Sequence, residues 1–261
     1  MKRIGIVGFG VIGEAFAVGL RKKMPDAVLA AFDVKHDLIE AAVKTLGVQP
    51  ARDASEVFAS DITILCVKPQ DFAQLATEVR YAAKGRRVIS VLAGRRVHAI
   101  AEALETENVA RFMPNISALK GTSVVGISLH VGADEQTRKD SLAVAEAVGT
   151  PFEIPERLMS AMTGLSGSGL AYVLAFVHAM TLGGVAAGFD YRTALSIVVA
   201  GLESAASLLR DGTHPVELAS RITSAGGTTI QGIRALEKGG FTASVIAAVE
   251  AAARKASEME S

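Results

Sequence analysis

The chain has 261 residues, half of them hydrophobic and 21% charged, and its 27 Lys and Arg balance 27 Asp and Glu to a formal net charge of zero. That length and apolar content support a substantial buried core and exclude disorder as the main state, and the charge balance leaves no bulk basic footprint for nucleic acid. Cys66 is the single cysteine, so no intrachain disulfide and no cysteine-based zinc site can form, which fits a reducing, cytoplasmic setting.

The opening MKRIGIVGFG carries two basic residues, but glycines and Glu14 break the apolar run and no cleavage pattern follows. It reads as a strand entering a turn and not as a signal peptide. Strands are predicted over Arg3–Gly8, Val28–Asp33, Asp61–Val67, Arg87–Val91, Asn108–Met113 and Val124–His130, short runs rich in β-branched residues and mostly uncharged inside. Between them the pattern predicts helices over Glu14–Lys23, Asp71–Ala83 and Asp134–Val148, the last two opened by acidic residues that suit the positive end of the helix dipole. This alternation through about the first 150 residues predicts βαβ units and a parallel sheet.

Past Pro151 and Pro155 the strand signal nearly vanishes and Ala-, Leu- and Gly-rich helical stretches run onward. Apolar residues surround several of these helices instead of forming one stripe, which predicts an intertwined dimer. From Leu158 to Phe189 there is no Lys, Arg, Asp or Glu, a length that would cross a bilayer. The break GLSGSG at 164–169, His178 in the middle, and the lack of a flanking basic cluster favour a soluble helix buried on all sides, with His178 packed inside it.

Gly8, Gly10 and Gly13 form G-F-G-V-I-G between the first strand and the first helix, the context a dinucleotide-binding turn requires. The first glycine permits the turn, the second lets a pyrophosphate approach, and the third lets helix and strand pack closely, so Gly8, Phe9, Gly10, Val11, Ile12 and Gly13 are the expected cofactor loop. Asp33 lies twenty positions beyond Gly13 at the end of the second strand, where a carboxylate accepts from ribose hydroxyls and repels a 2′-phosphate. This leans toward NADH, partly offset by Lys35 and His36; the other reading of Asp33 is a cap for the next helix. The expected architecture is α/β: an amino-terminal Rossmann-like doubly wound sheet over 1–154, which binds the dinucleotide, and an all-α carboxy-terminal dimerisation and substrate domain over 155–261.

Four further segments stand in order behind the glycine loop: C-V-K-P-Q at 66–70, R-F-M-P-N at 111–115, T-G-L-S-G-S-G at 163–169 and S-A-G-G-T-T at 224–229. With them the chain resembles pyrroline-5-carboxylate reductases over essentially its whole length. The resemblance implies reduction of the cyclic imine 1-pyrroline-5-carboxylate to L-proline, the last step of proline biosynthesis, by a nicotinamide cofactor, NADH or NADPH. It also implies a homodimer, with larger rings of dimers among such proteins, and a substrate pocket where the cofactor domain of one subunit meets the helical domain of the other.

In S-A-G-G-T-T, side-chain-poor glycines let backbone N–H groups face a carboxylate, especially if a helix begins near Thr228. Ser224, Gly226, Gly227, Thr228 and Thr229 are therefore the expected substrate residues. By resemblance Thr229 bonds the ring nitrogen, which makes it the candidate catalytic residue that orients or protonates the imine; proton relay from water, or binding of an already protonated imine, is equally compatible. Also by resemblance, Val67, Lys68 and Pro69 border the nicotinamide ribose; the other reading of Lys68 is a solvated strand-end residue. Ala93 and Gly94 suggest close backbone approach to the cofactor, and Asn115 a polar contact near the nicotinamide.

Val11, Ile116-Ser117, Leu170, Ala225 and Ile197-Val198 depart from the family pattern, most notably where proline is usual at 117, 170 and 225. They leave a related cyclic imine as an alternative substrate. A β-hydroxyacid dehydrogenase-like enzyme is a second alternative, weakened because Leu158–Tyr191 holds no lysine. The five histidines are scattered without metal-ligand spacing, so no metal site is expected, and Ser166 and Ser168 do not form G-x-S-x-G.

Overall fold

Short runs of Ile, Val and Ala with no charge inside must bury both faces, and they do so in the middle of one sheet. The computed structural model describes residues 2–260. In chain order β1 (Arg3–Val7), α1 (Val11–Lys23), β2 (Val28–Phe32), α2 (His36–Leu46), β3 (Gln49–Pro50), α3 (Ala54–Val57) and β4 (Ile62–Leu65) make the first half. There follow α4 (Phe72–Ala83), β5 (Val88–Ser90), α5 (Val97–Leu104), β6 (Val109–Met113), β7 (Ser123–Leu129), α6 (Glu135–Val148) and β8 (Gly149–Glu153). The strand order is β3-β2-β1-β4-β5-β6-β7-β8. Pairing is parallel except between β6 and β7, where Ala110 faces Leu129 and the chain reverses.

This is the doubly wound sheet expected from the alternation of strand and helix. The order turns back between β1 and β4, so the loops after these strands open a crevice at their carboxyl ends, where such sheets bind ligands. One face buries Ile4, Ile6, Phe16, Leu20, Ile64 and Phe112 under α1 and α6, with the Phe16 and Phe112 rings 6.3 Å apart. The opposite face buries Val57, Phe58, Leu65, Val79, Ile100 and Leu104 under α3, α4 and α5.

The predicted strands are present with ends trimmed by one or two residues, except that β7 begins one residue earlier, at Ser123. β3 and β8 escaped the sequence reading because each contains a proline, Pro50 and Pro151. Both are outermost in the sheet, where a missing N–H costs no ladder bond.

Asp134 opens α6 as expected. Its Oδ1 accepts from the Thr137 N–H at 2.6 Å and from the Thr137 hydroxyl at 2.6 Å, and its Oδ2 accepts from Arg87 Nη2 at 3.2 Å. The Thr137 hydroxyl above all, with Arg87 beside it, lowers the carboxyl from 3.8 to about 2. A depressed folded-state value means this support is complete above pH 3.8 and is lost as the pH falls toward about 2. Asp134→Ala is expected to cost about 1 kcal/mol in urea unfolding at neutral pH, and the difference from the unsubstituted protein should vanish in that acid window.

The chain forms two compact units. The first runs to Gly167 and takes in α7 (Met159–Met162), a π turn over Thr163–Gly167, and the end of the chain from Ala252. The second, Ser168–Ala251, holds α8 (Gly169–Ala186), α9 (Tyr191–Leu209), α10 (Pro215–Arg221), α11 (Thr228–Lys238) and the start of α12 (Phe241–Glu258). His214 opens α10, its Nδ1 accepting the Val216 N–H. Within this unit α8 packs on α9, and the Tyr172 hydroxyl donates to the Ala248 carbonyl at 3.2 Å.

The stretch from Leu158 to Phe189 is not the uniformly buried helix expected. The π turn breaks it, only Gly169, Val177 and Thr181 are buried in α8, and His178 is exposed. Within one chain this apolar helix has a neighbour on one side while its other faces, including Leu174 at 60% exposure, are open. Glu156–Ala186 and Tyr191–Leu209 are long and apolar enough to cross a membrane by length and composition.

Candidate functional site

The loop after β1 holds its three glycines for different reasons. Gly8 has φ +91°, and a Cβ there would lie 2.7 Å from the Cys66 carbonyl carbon and oxygen. A Cβ on Gly13 would run into the Gly8 carbonyl oxygen. Gly10 is different: its φ of −72° suits any residue, and a Cβ there would meet no atom within 4 Å. The open space lies at the start of α1, where Gly10 is the N-cap residue and no side chain caps the helix. The first-turn N–H groups, including those of Val11 and Ile12, are thus left for an anion.

Phe9 is buried, and its N–H donates to Asp33 Oδ2 at 2.6 Å. Asp33 Oδ1 accepts from the Lys35 N–H at 2.8 Å. The carboxylate does not cap α2, whose N-cap is Lys35 without a side-chain bond. Instead it ties the end of β2 to the glycine loop, and each oxygen keeps a lone pair that a ribose hydroxyl could use.

The neighbouring loop follows β4, bound to β1 through Cys66 N–H and the Val7 carbonyl at 2.7 Å. Val67 is half-buried, Lys68 is exposed, and Pro69 begins a single 3₁₀ turn whose N-cap is Lys68. Burial pushes the Cys66 thiol up, which keeps it protonated and unreactive. Beyond β5, Ala93 is exposed and Gly94 has φ +70°. These loops share the carboxyl edge of the sheet with the end of β6.

Asn115, just past β6, is 9% exposed and engaged within the protein. Its Oδ1 accepts from the Ser117 N–H at 3.2 Å and the Ser117 hydroxyl at 2.5 Å, and its Nδ2 donates to Ser166 Oγ at 3.3 Å. Proline at 117, usual in the family pattern, has no N–H to make the first of these bonds. Asn115 therefore fastens the R-F-M-P-N segment to the π turn.

On the second unit, S-A-G-G-T-T forms a turn closed by the Gly227 N–H on the Ser224 carbonyl at 3.1 Å. Gly226 has φ +68°, and the Ser224 hydroxyl stands where a Cβ on Gly227 would be. Gly227 is the N-cap of α11, again without a side-chain cap, so the N–H groups of Thr228 and Thr229 open the helix unpaired by any cap. Ser224 is exposed and Thr229 half-buried. The expected substrate residues thus stand together at one helix start, and the expected cofactor residues lie along one sheet edge.

Sequence reading gave no role to Arg111, although it lies in the R-F-M-P-N motif, nor to its partners Glu156 and Glu260. Their only sequence signal is a charged residue inside an apolar strand. Among the described residues, no three of His, Cys, Asp and Glu gather as a metal would require.

An open glycine loop before an uncapped helix, with an acid at the end of the next strand, defines a dinucleotide-binding protein, here with a helical second unit. The chain belongs to the pyrroline-5-carboxylate reductase family. It is 36% identical to the pyrroline-5-carboxylate reductase of Methanosarcina acetivorans, with 99% of this chain and 98% of the relative covered. The family model for pyrroline-5-carboxylate reductase dimerisation matches residues 156–259, and one for NADP oxidoreductase, coenzyme F420-dependent, matches residues 3–94. The solved 1-pyrroline-5-carboxylate reductase of Streptococcus pyogenes is 27% identical with a TM-score of 0.87 over 98% of each chain. The Plasmodium falciparum pyrroline carboxylate reductase, solved with NADP bound, shares the fold at a TM-score of 0.87 and 24% identity, with 100% of this chain and 98% of that one covered. The matched dimerisation region accounts for the open apolar faces of α8 and α9.

Proposed function

We propose that this protein reduces 1-pyrroline-5-carboxylate to L-proline with a nicotinamide cofactor, and that NADH is the preferred one. The observation that carries the reading is the uncapped start of α11 behind Gly226 and Gly227, flanked by the hydroxyls of Ser224, Thr228 and Thr229, in a chain of this family. A helix N-terminus with free N–H groups holds the substrate carboxylate, and fixing that end of a small rigid ring leaves its C=N bond one orientation. When bound, the reduced nicotinamide supplies a hydride to the imine carbon. The ring nitrogen must then carry one more proton than the neutral imine, and the Thr229 hydroxyl is the group that orients that nitrogen or passes it a proton. Gly8 to Gly13 hold the pyrophosphate, with Val67, Lys68, Pro69, Ala93 and Gly94 along the nicotinamide half.

Asp33 supports the NADH preference, because a carboxylate at the end of β2 repels a 2′-phosphate. Asp33→Ala is expected to lower the NADH-to-NADPH ratio of kcat/KM by about tenfold, a modest value because loss of the bond to Phe9 loosens the loop for both cofactors. A ratio unchanged by the substitution would place the discrimination elsewhere. The working protein is a homodimer or a ring of such dimers, cytoplasmic, with no membrane or nucleic-acid partner.

The decisive assay is the initial rate of NADH and NADPH oxidation by purified protein with 1-pyrroline-5-carboxylate, scoring proline. Proline formation faster with NADH is the expected result. Cofactor binding without turnover would mean that the departures at Leu170, Ala225 and Ile197 have changed the imine accepted.

A further inference from the structure

Arg111 sits in β6 with its side chain 4% exposed, beside Ser90 of β5 and Ser128 of β7. A buried guanidinium is tolerated only when paired and hydrogen-bonded. Its Nη1 donates to Glu156 Oε1 at 3.2 Å and its Nη2 to Glu260 Oε1 at 2.5 Å, and those carboxylate side chains are 26% and 10% exposed. Both partners reach the same loop. Glu156 Oε1 also accepts the N–H of Val97, the first residue of α5, at 2.5 Å. Met259, the residue before Glu260, lies against Gly94, where a Cβ would stand 2.6 Å from the Met259 carbonyl oxygen. The loop between β5 and α5, which contains Ala93 and Gly94, is therefore held at Val97 by Glu156 and pressed at Gly94 by Met259, and Arg111 joins the two holds.

We propose that Glu260 is a positioning residue for the cofactor: through Arg111 it seats the segment 252–260 on the β5–α5 loop and fixes that loop in the shape that receives the nicotinamide half. This rests on the reading of Ala93 and Gly94 as cofactor-side residues. Residues 252–260 act through the loop and not by touching the cofactor. The left-handed backbone at Gly94 and the Met259 carbonyl against it leave no room for a side chain, so the segment fits this loop only because a glycine stands there. Charge-assisted bonds to a buried arginine supply the hold that an exposed helix end would lack. Because the segment and the cofactor both favour one loop geometry, each must strengthen the other, and the coupling is reciprocal.

Calorimetric titration of NADH into the full chain tests this with Glu260→Gln, Glu260→Asp and Gly10→Val side by side. Glu260→Gln is expected to weaken NADH binding and raise its KM by about tenfold, with a much smaller change in kcat at saturating NADH, and Glu260→Asp to recover most of the loss. Hydrogen exchange on the unsubstituted protein supplies a second measurement: NADH should slow exchange at the amides of Met259 and Glu260, a response that a purely structural ion pair would not give. A folded Glu260→Gln protein that binds NADH normally overturns the proposal, as does exchange in 252–260 that ignores NADH. If Gly10→Val also binds NADH normally, the cofactor reading itself fails and this proposal falls with it. If only Gly10→Val loses binding, the cofactor reading stands and Glu260 has no positioning role.

Discussion

Gly10→Val is expected to leave the fold at full stability and to weaken NADH binding by at least about 100-fold, the loss of one or two hydrogen bonds to a charged phosphate. The first half of this follows from the loop's geometry. Valine is compatible with φ −72°, and its Cβ would enter space where no protein atom lies within 4 Å. The second half follows because that same space fronts the free N–H groups of α1, so the branched side chain stands where a pyrophosphate must come to reach them. Gly8→Ala and Gly13→Ala provide the contrast. Each would drive a Cβ into backbone, at Cys66 and Gly8 respectively, so each should lower the melting temperature as well as binding. Thermal unfolding and calorimetry on the three variants separate the glycine that serves the ligand from the two that serve the turn. Normal NADH affinity in Gly10→Val would mean that the start of α1 does not hold the phosphates.

Gly8 and Gly13 were legible in the sequence because each answers a local constraint of a strand–turn–helix unit, and Gly10 because it keeps the helix start open between them, so the three leave a fixed spacing. The central strands were legible for a similar reason, since a run such as Ile62–Leu65 has no polar face to offer solvent. β3 and β8 were not, because two or five residues containing a proline carry no such pattern. The grip of Glu260 on Arg111 spans 149 positions and has no periodicity to betray it. Asn115 shows the same limit: its place after β6 could be anticipated, but its engagement by Ser117 and Ser166 could not, because one partner arrives from 51 residues away. The burial expected for Leu158–Phe189 is not met within one chain, for a different cause. Apolarity says that a surface needs covering and does not say whether the cover comes from the same chain.

Thr229→Ala is expected to lower kcat about 100-fold while NADH binds as before, the lower end of what a positioned proton donor contributes. The substitution removes one hydroxyl and leaves the backbone N–H groups at the start of α11, so the carboxylate site should survive and the KM for the imine should rise only a few-fold. Alanine suits the first turn of a helix, and Thr229 makes no side-chain bond to Gly227 or Ser224 that its loss would break. Thr229→Ser keeps the hydroxyl and should retain most of the rate, which distinguishes proton handling from packing of the methyl group. A pH profile adds the remaining distinction. If the imine binds already protonated and Thr229 only orients it, Thr229→Ala should lower the rate by the same factor at every pH. If the hydroxyl passes a proton to a neutral imine, the loss should grow as the pH rises and the protonated imine becomes scarce. Equal loss of NADH binding in Thr229→Ala and Gly10→Val would contradict both versions, because the first variant leaves every residue of the cofactor loop in place.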